Sequence, residues 1–91
     1  MNKERRKQLK EAITLLEEAR EKLTGAKEIV EAVKDEEEEA YDNLPEGVQE
    51  SERGEAIQEN VDSLESIADD IDTLDSDTGD KIDEIQEVID R

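Results

Sequence analysis

Read in sevens from residue 9 to 44, one column of the chain holds Leu9, Leu16, Leu23, Val30, Glu37 and Leu44. The column three residues later holds Ala12, Ala19, Ala26, Val33 and Ala40. With these as heptad positions a and d, the unbroken phase, filled by good helix formers, predicts one long helix over about residues 3–42. Gly25 falls at the outward c position, where it costs roughly 1 kcal/mol relative to Ala without shifting the seam. Large residues in one column and Ala in the other let two backbones approach closely, so the Ala column is expected to be a helix-packing surface.

A second stripe runs through Ile57, Val61, Leu64, Ala68, Ile71, Ile82, Ile85 and Ile89, widened on one flank by Ile67, Leu74 and Val88 and interrupted by Asp75 and Thr78. It predicts a second helix over about residues 52–90, with room for loosening at 75–80, where Asp, Ser and Gly compete for the backbone through local hydrogen bonds. Between the helices, over 43–51, Pro45 bars helical geometry at Leu44, Gly47 supplies turn freedom, and Ser51 is a candidate N-cap. Pro45 can also open a single helical turn.

Two helices of similar length joined by so short a connection become antiparallel neighbours, with residues whose numbers add to about 96 lying level. That register brings Arg6 near Asp90, Arg20 near Asp75, Lys27 near Asp69 and Lys34 near Asp62, and like charges penalise slipped alternatives. Each exposed pair is worth only ~0–1 kcal/mol, so these contacts select the alignment and do not hold it. The expected fold is an all-α antiparallel helical hairpin of coiled-coil type, one domain over 1–91. Its helix-packing residues are Leu9, Ala12, Leu16, Ala19, Leu23, Ala26, Val30, Val33, Leu64, Ile71 and Ile85. Two helices cannot bury stripes three columns wide, so a homodimer forming a four-helix bundle is expected, with layering similar to that of Rop-type dimers.

Composition narrows the chemistry. The 91 residues contain neither Cys nor His, one Tyr, no Phe and no Trp. That excludes disulfides, thiolate or imidazole metal sites and the Cys–His or Ser–His catalytic machinery. No enzymatic activity and no cofactor are expected. No apolar run approaches a membrane span or a signal-peptide core, so the chain is expected to avoid membranes and to work in the cytoplasm.

The charge is uneven. Residues 1–34 carry nine Lys or Arg against seven Glu, whereas 35–91 carry three basic residues against 23 acids; the net charge is −18. Between Glu55 and Asp90 there are fourteen carboxylates and one Lys. On a helix that is one net charge per ~4 Å, and two such helices on a common axis approach one per ~2 Å, against about 1.7 Å for duplex DNA. Asp62, Asp69, Asp83 and Asp90 share one heptad column; Glu65 and Asp72 stand in the next, and Glu87 extends the ridge, which Ser76 and Gly79 interrupt. Such a face fits a protein partner with a basic, nucleic-acid-binding surface, and no direct contact with nucleic acid is expected. Equally, it fits a hydrated face that keeps a small bundle soluble. The run Asp35-Glu36-Glu37-Glu38-Glu39 opposes the helix dipole and makes Glu36, Glu38 and Glu39 a candidate acidic tip, or a frayed, hydrated end.

Other motifs fail on their chemistry. Asp75, Asp77, Ile82 and Asp83 match positions 1, 3, 8 and 9 of an EF-hand loop, but Gly79, Asp80 and Gln86 stand where a ligand, a glycine and the bidentate acid are required. Tyr41 is expected to close the end of a core rather than meet a ligand.

The segments Asp35-Glu36-Glu37-Glu38-Glu39-Ala40-Tyr41-Asp42-Asn43-Leu44-Pro45-Glu46 and Gln49-Glu50-Ser51-Glu52-Arg53-Gly54-Glu55, with the Ile/Leu and Asp/Glu repeats that follow, resemble short acidic helical proteins of phages and mobile elements of Gram-positive bacteria. The resemblance implies an all-helical fold and raises the expectation of a counter-defence protein that imitates nucleic acid to block a restriction or CRISPR nuclease. The competing expectation is a structural adaptor: the Ala12, Ala19, Ala26 column accepts a partner helix and the acids only confer solubility.

Overall fold

The computed structural model describes residues 1–91. It is all helix: α1 spans Lys3–Asp42, α2 Glu46–Gln49 and α3 Glu52–Asp90, with α1 packed against α3 as a hairpin. The chain divides into two compact units, one of Met1–Gly25 with Ile71–Arg91, the other of Ala26–Asp70.

In the first unit the seam is built by Ile13 and Ile89, both buried, and by the half-buried Leu9, Leu16, Leu23, Ile71, Ile82 and Ile85. Arg20 crosses it to Asp75: its Nε donates to Oδ1 at 2.8 Å and its Nη2 to Oδ2 at 3.1 Å. Their residue numbers add to 95, within one of the level expected from the sequence. Arg6 and Asp90 do not form their expected pair: the Arg6 Nε is shut from solvent with no hydrogen-bond partner, and Asp90 accepts from Gln86 Nε2 at 3.0 Å, one turn away.

The second unit holds the turn. Val61 and Ala68 are buried, beside half-buried Val30, Tyr41, Leu44, Ile57 and Leu64. Glu37, a carboxylate in an otherwise apolar column, is half-buried and accepts from Asn60 Nδ2 at 3.5 Å. Lys34 turns to its own helix, 3.7 Å from Glu38 and 3.8 Å from Asp35, rather than across to Asp62. Pro45 precedes the single turn α2, and its carbonyl accepts from the Val48 and Gln49 amides. Gln49 Nε2 ties the turn back by donating to the Tyr41 carbonyl at 3.0 Å. The Ser51 hydroxyl donates to the Val48 carbonyl, so it closes α2 and does not cap α3 through its side chain. Gly54 is buried against Gln49; a Cβ there would stand 2.7 Å from Gln49 Cα and closer still to its carbonyl.

Burial sorts the columns of α1. Ala19, Ala26, Val33 and Ala40 are exposed and Ala12 is only half-buried, so the hairpin seam of α1 is not a with d. It is a with e, the column of Arg6, Ile13, Arg20, Lys27, Lys34 and Tyr41, none of them fully exposed. Ala methyls carry too little apolar area to hold the seam. The e side chains bury longer aliphatic stems and keep their cations within reach of carboxylates.

α3 is continuous through Asp75–Asp80. The groups that would compete with the helix are otherwise engaged: Thr78 Oγ1 donates to the Leu74 carbonyl at 2.7 Å and Asp75 is held by Arg20.

Candidate interaction surface

The two sides of each unit differ in chemistry. On α3, the ridge residues Asp62, Glu65 and Asp69 in the second unit, and Asp72, Asp83, Glu87 and Asp90 in the first, are all exposed. Their spacing of three and four residues places them along one side of the helix. In the second unit that side is marked by a shallow hollow of about 270 Å³ lined by Glu38, Tyr41, Asp42 and Gln58. The opposite side of the same unit carries a hollow of about 240 Å³ lined by Val33, Glu37, Asn60, Ser63 and Leu64. There Ile29 at 67%, Val33 and Ile67 stand exposed beside the polar Asn60 and Ser63. The first unit repeats the pattern in the same heptad columns, with Leu15 at 66% exposure, Ala19 and Leu74 uncovered.

The acidic tip is not a single cluster. Glu36, Glu38 and Glu39 stand in different heptad columns; Glu38 lines the hollow on the acidic side, whereas Glu36 follows Val33 by three residues and falls toward the apolar side.

The register puts Arg20 beside Asp75, but sequence reasoning missed that its guanidinium lies inside the ridge. Gly79, which breaks the acid column, leaves the space in which the Arg20 guanidinium lies; a Cβ at residue 79 would stand 2.7 Å from Arg20 Nη1. The hydrogen bonds and charge of Asp75, followed by the charges of Asp83 and Asp80, hold the Arg20 pKa above its ordinary value against the smaller cost of desolvation. The signal was legible in principle: a helical glycine in an acidic column, almost level with an arginine on the facing helix. A second cation, Lys81, lies 2.8 Å from Glu84, whose hydrogen bond and charge raise the lysine pKa.

No group of three or more carboxylates converges in a way that could hold a metal ion, and no helix is long and apolar enough to cross a membrane. At the start of α1 an open hollow of about 610 Å³ is lined by Lys3, Glu4, Arg6, Lys7 and Lys10. Comparison with protein-family models, with curated proteins and with solved structures gives no match.

Proposed function

We propose that the chain is an interaction module that binds a basic, nucleic-acid-binding protein through the acidic side of α3, acting as an inhibitor of the kind that phages direct against host defence. The observation that carries this reading is the placement of the ridge: in each unit its columns on α3 are exposed on the side away from the uncovered Ile67 and Leu74, with only the Asp70, Asp77 and Glu84 column standing beside those two. A face that served only solubility would not need to be one-sided. Dimerisation into a four-helix bundle belongs to the same reading, because it would double the charge along one axis toward duplex density.

The test is capture and inhibition. The chain, immobilised at low salt, should retain a nucleic-acid-binding protein that duplex DNA displaces and that is released by about 0.5 M NaCl. The purified target should lose nuclease activity on titration. Replacing Asp62, Asp69 and Asp83 with Asn should abolish that inhibition while leaving helix content intact. Unchanged inhibition by the triple variant would rule the ridge out.

A second reading, a helix-packing adaptor, is favoured by one observation: Leu15, Ile29 and Val33 remain uncovered on α1. Capture that survives salt but is lost on Ala19→Leu would select it.

A further inference from the structure

The uncovered columns of α1 carry enough pattern to name what covers them. In the d column stand Arg5, Ala12, Ala19, Ala26, Val33 and Ala40; in the g column stand Met1, Gln8, Leu15, Lys22, Ile29 and Glu36. Every one of them is exposed except Ala12, which is half-buried. Columns d and g adjoin each other on the helix surface about 100° around from the a/e seam, the separation at which a bundle helix presents its second neighbour. Arg5 and Glu36 lie toward opposite ends of the stripe, and the large Leu15 and Ile29, exposed by 66% and 67%, alternate with Ala.

We infer that this stripe is the seam of a symmetric antiparallel contact between α1 and α1 of a second copy, in the register that sets residues adding to about 41 level across the twofold axis. In that register Leu15 lies over Ala26 of the second copy, Ile29 over Ala12 and Lys22 over Ala19, and Arg5 meets Glu36. Leu15, Lys22 and Ile29 thus fall on alanines, Val33 falls on Gln8, and opposite charges meet near each end of the stripe. In the flanking c column Glu18 faces Gly25 and Glu11 faces Ala32, so no glutamates oppose each other along the middle. Glu4 and Glu39 approach only at the ends, beside the Arg5–Glu36 pair.

The neighbouring registers are worse. A shift of one heptad one way sets Glu11 level with Glu39 and Ala12 with Glu36. A shift the other way sets Glu18 on Glu18 and Arg5 on Ile29. Both volume and charge therefore favour one alignment, which also brings the half-buried Leu16 and Leu23 of the two copies level beside the axis. This inference rests on the proposal that the chain dimerises; the interface and its register are added here.

The chain has no cysteine, so introduced ones report geometry cleanly. Within one helix, residues 15 and 26 are ~16 Å apart, beyond the ~7 Å limit for a disulfide. On mild oxidation the L15C/A26C variant should run as a covalent dimer on a denaturing gel, whereas A19C/I29C, which matches the shifted register, should stay monomeric. The sedimentation mass of the unmodified chain at tens of micromolar should be twice that of the monomer. Arg5→Glu should weaken the dimer about tenfold, and adding Glu36→Arg should restore it. A monomeric mass overturns both the dimer and this interface. A dimeric mass with cross-linking through A19C/I29C, through both pairs or through neither overturns the interface and leaves dimerisation standing.

Discussion

Arg20 does most to tie sequence to geometry. Its two hydrogen bonds to Asp75 fix the level of the helices in the first unit, and they exist because residue 79 has no side chain to occupy the same space. Gly79→Ala should displace the guanidinium and lower the melting temperature in parallel with Asp75→Asn; an unchanged melting temperature for both would show that the pair is ornamental. The other glycines part company. Gly25 is helical with nothing within 4 Å of a Cβ, so Gly25→Ala should stabilise by about 0.5–1 kcal/mol, whereas Gly54→Ala, driven into Gln49, should cost about 1–3 kcal/mol in denaturant unfolding. Lys81 adds a pH signature. It binds its proton more tightly in the fold than in the open chain, so the contribution of its bridge to Glu84 is complete below the ordinary lysine pKa and fades as pH rises through the raised value. A nitrogen-resolved NMR titration should place Lys81 above 10.5, and Glu84→Gln should bring it down.

At the level of elements, the hairpin and its register were legible because the heptad phase is unbroken in both long segments and because Arg20 and Asp75 mark the level. The side on which α1 meets α3 was not. A column of Ala reads as seam by composition, yet Ile13 and the stems of Arg20, Lys27 and Lys34 offer more surface to bury. Ile13→Ala should therefore cost about 2 kcal/mol or more, and Ala40→Gln almost nothing, in the same unfolding experiment. The reverse order would return the seam to the d column. The acid ridge was readable as a column pattern, but its internal cation was not, because that depends on which neighbour fills the space a glycine leaves. The acids of the tip spread over several columns, because consecutive residues of a helix point in different directions, and only Glu38 and Asp42 of them line one hollow.

The molecule as a whole carries a net charge of −18 on 91 residues, and residues 35–91 hold 23 of its 30 acids against three of its 12 basic residues. Self-repulsion of this size opposes folding and association alike, and added salt screens it. Raising NaCl from about 0.05 to 0.5 M should raise the melting temperature, by more than salt loosens the few ion pairs, all of them at least partly exposed. A falling melting temperature would mean that the bridges outweigh the repulsion.

The placement of cations in the seam also makes a built-in clock. Trypsin cuts after Lys and Arg, and a cleavable bond must leave its helix before it enters the enzyme's cleft. Lys3, Arg5, Lys7, Lys10 and Lys22 stand exposed, whereas Arg20, Lys27 and Lys34 are partly covered along the e column, and α3 offers no such residue between Arg53 and Lys81. Peptides ending at Arg20, Lys27 and Lys34 should thus emerge later than those ending at Lys22, and their delay times the parting of α1 from α3 without any attached label.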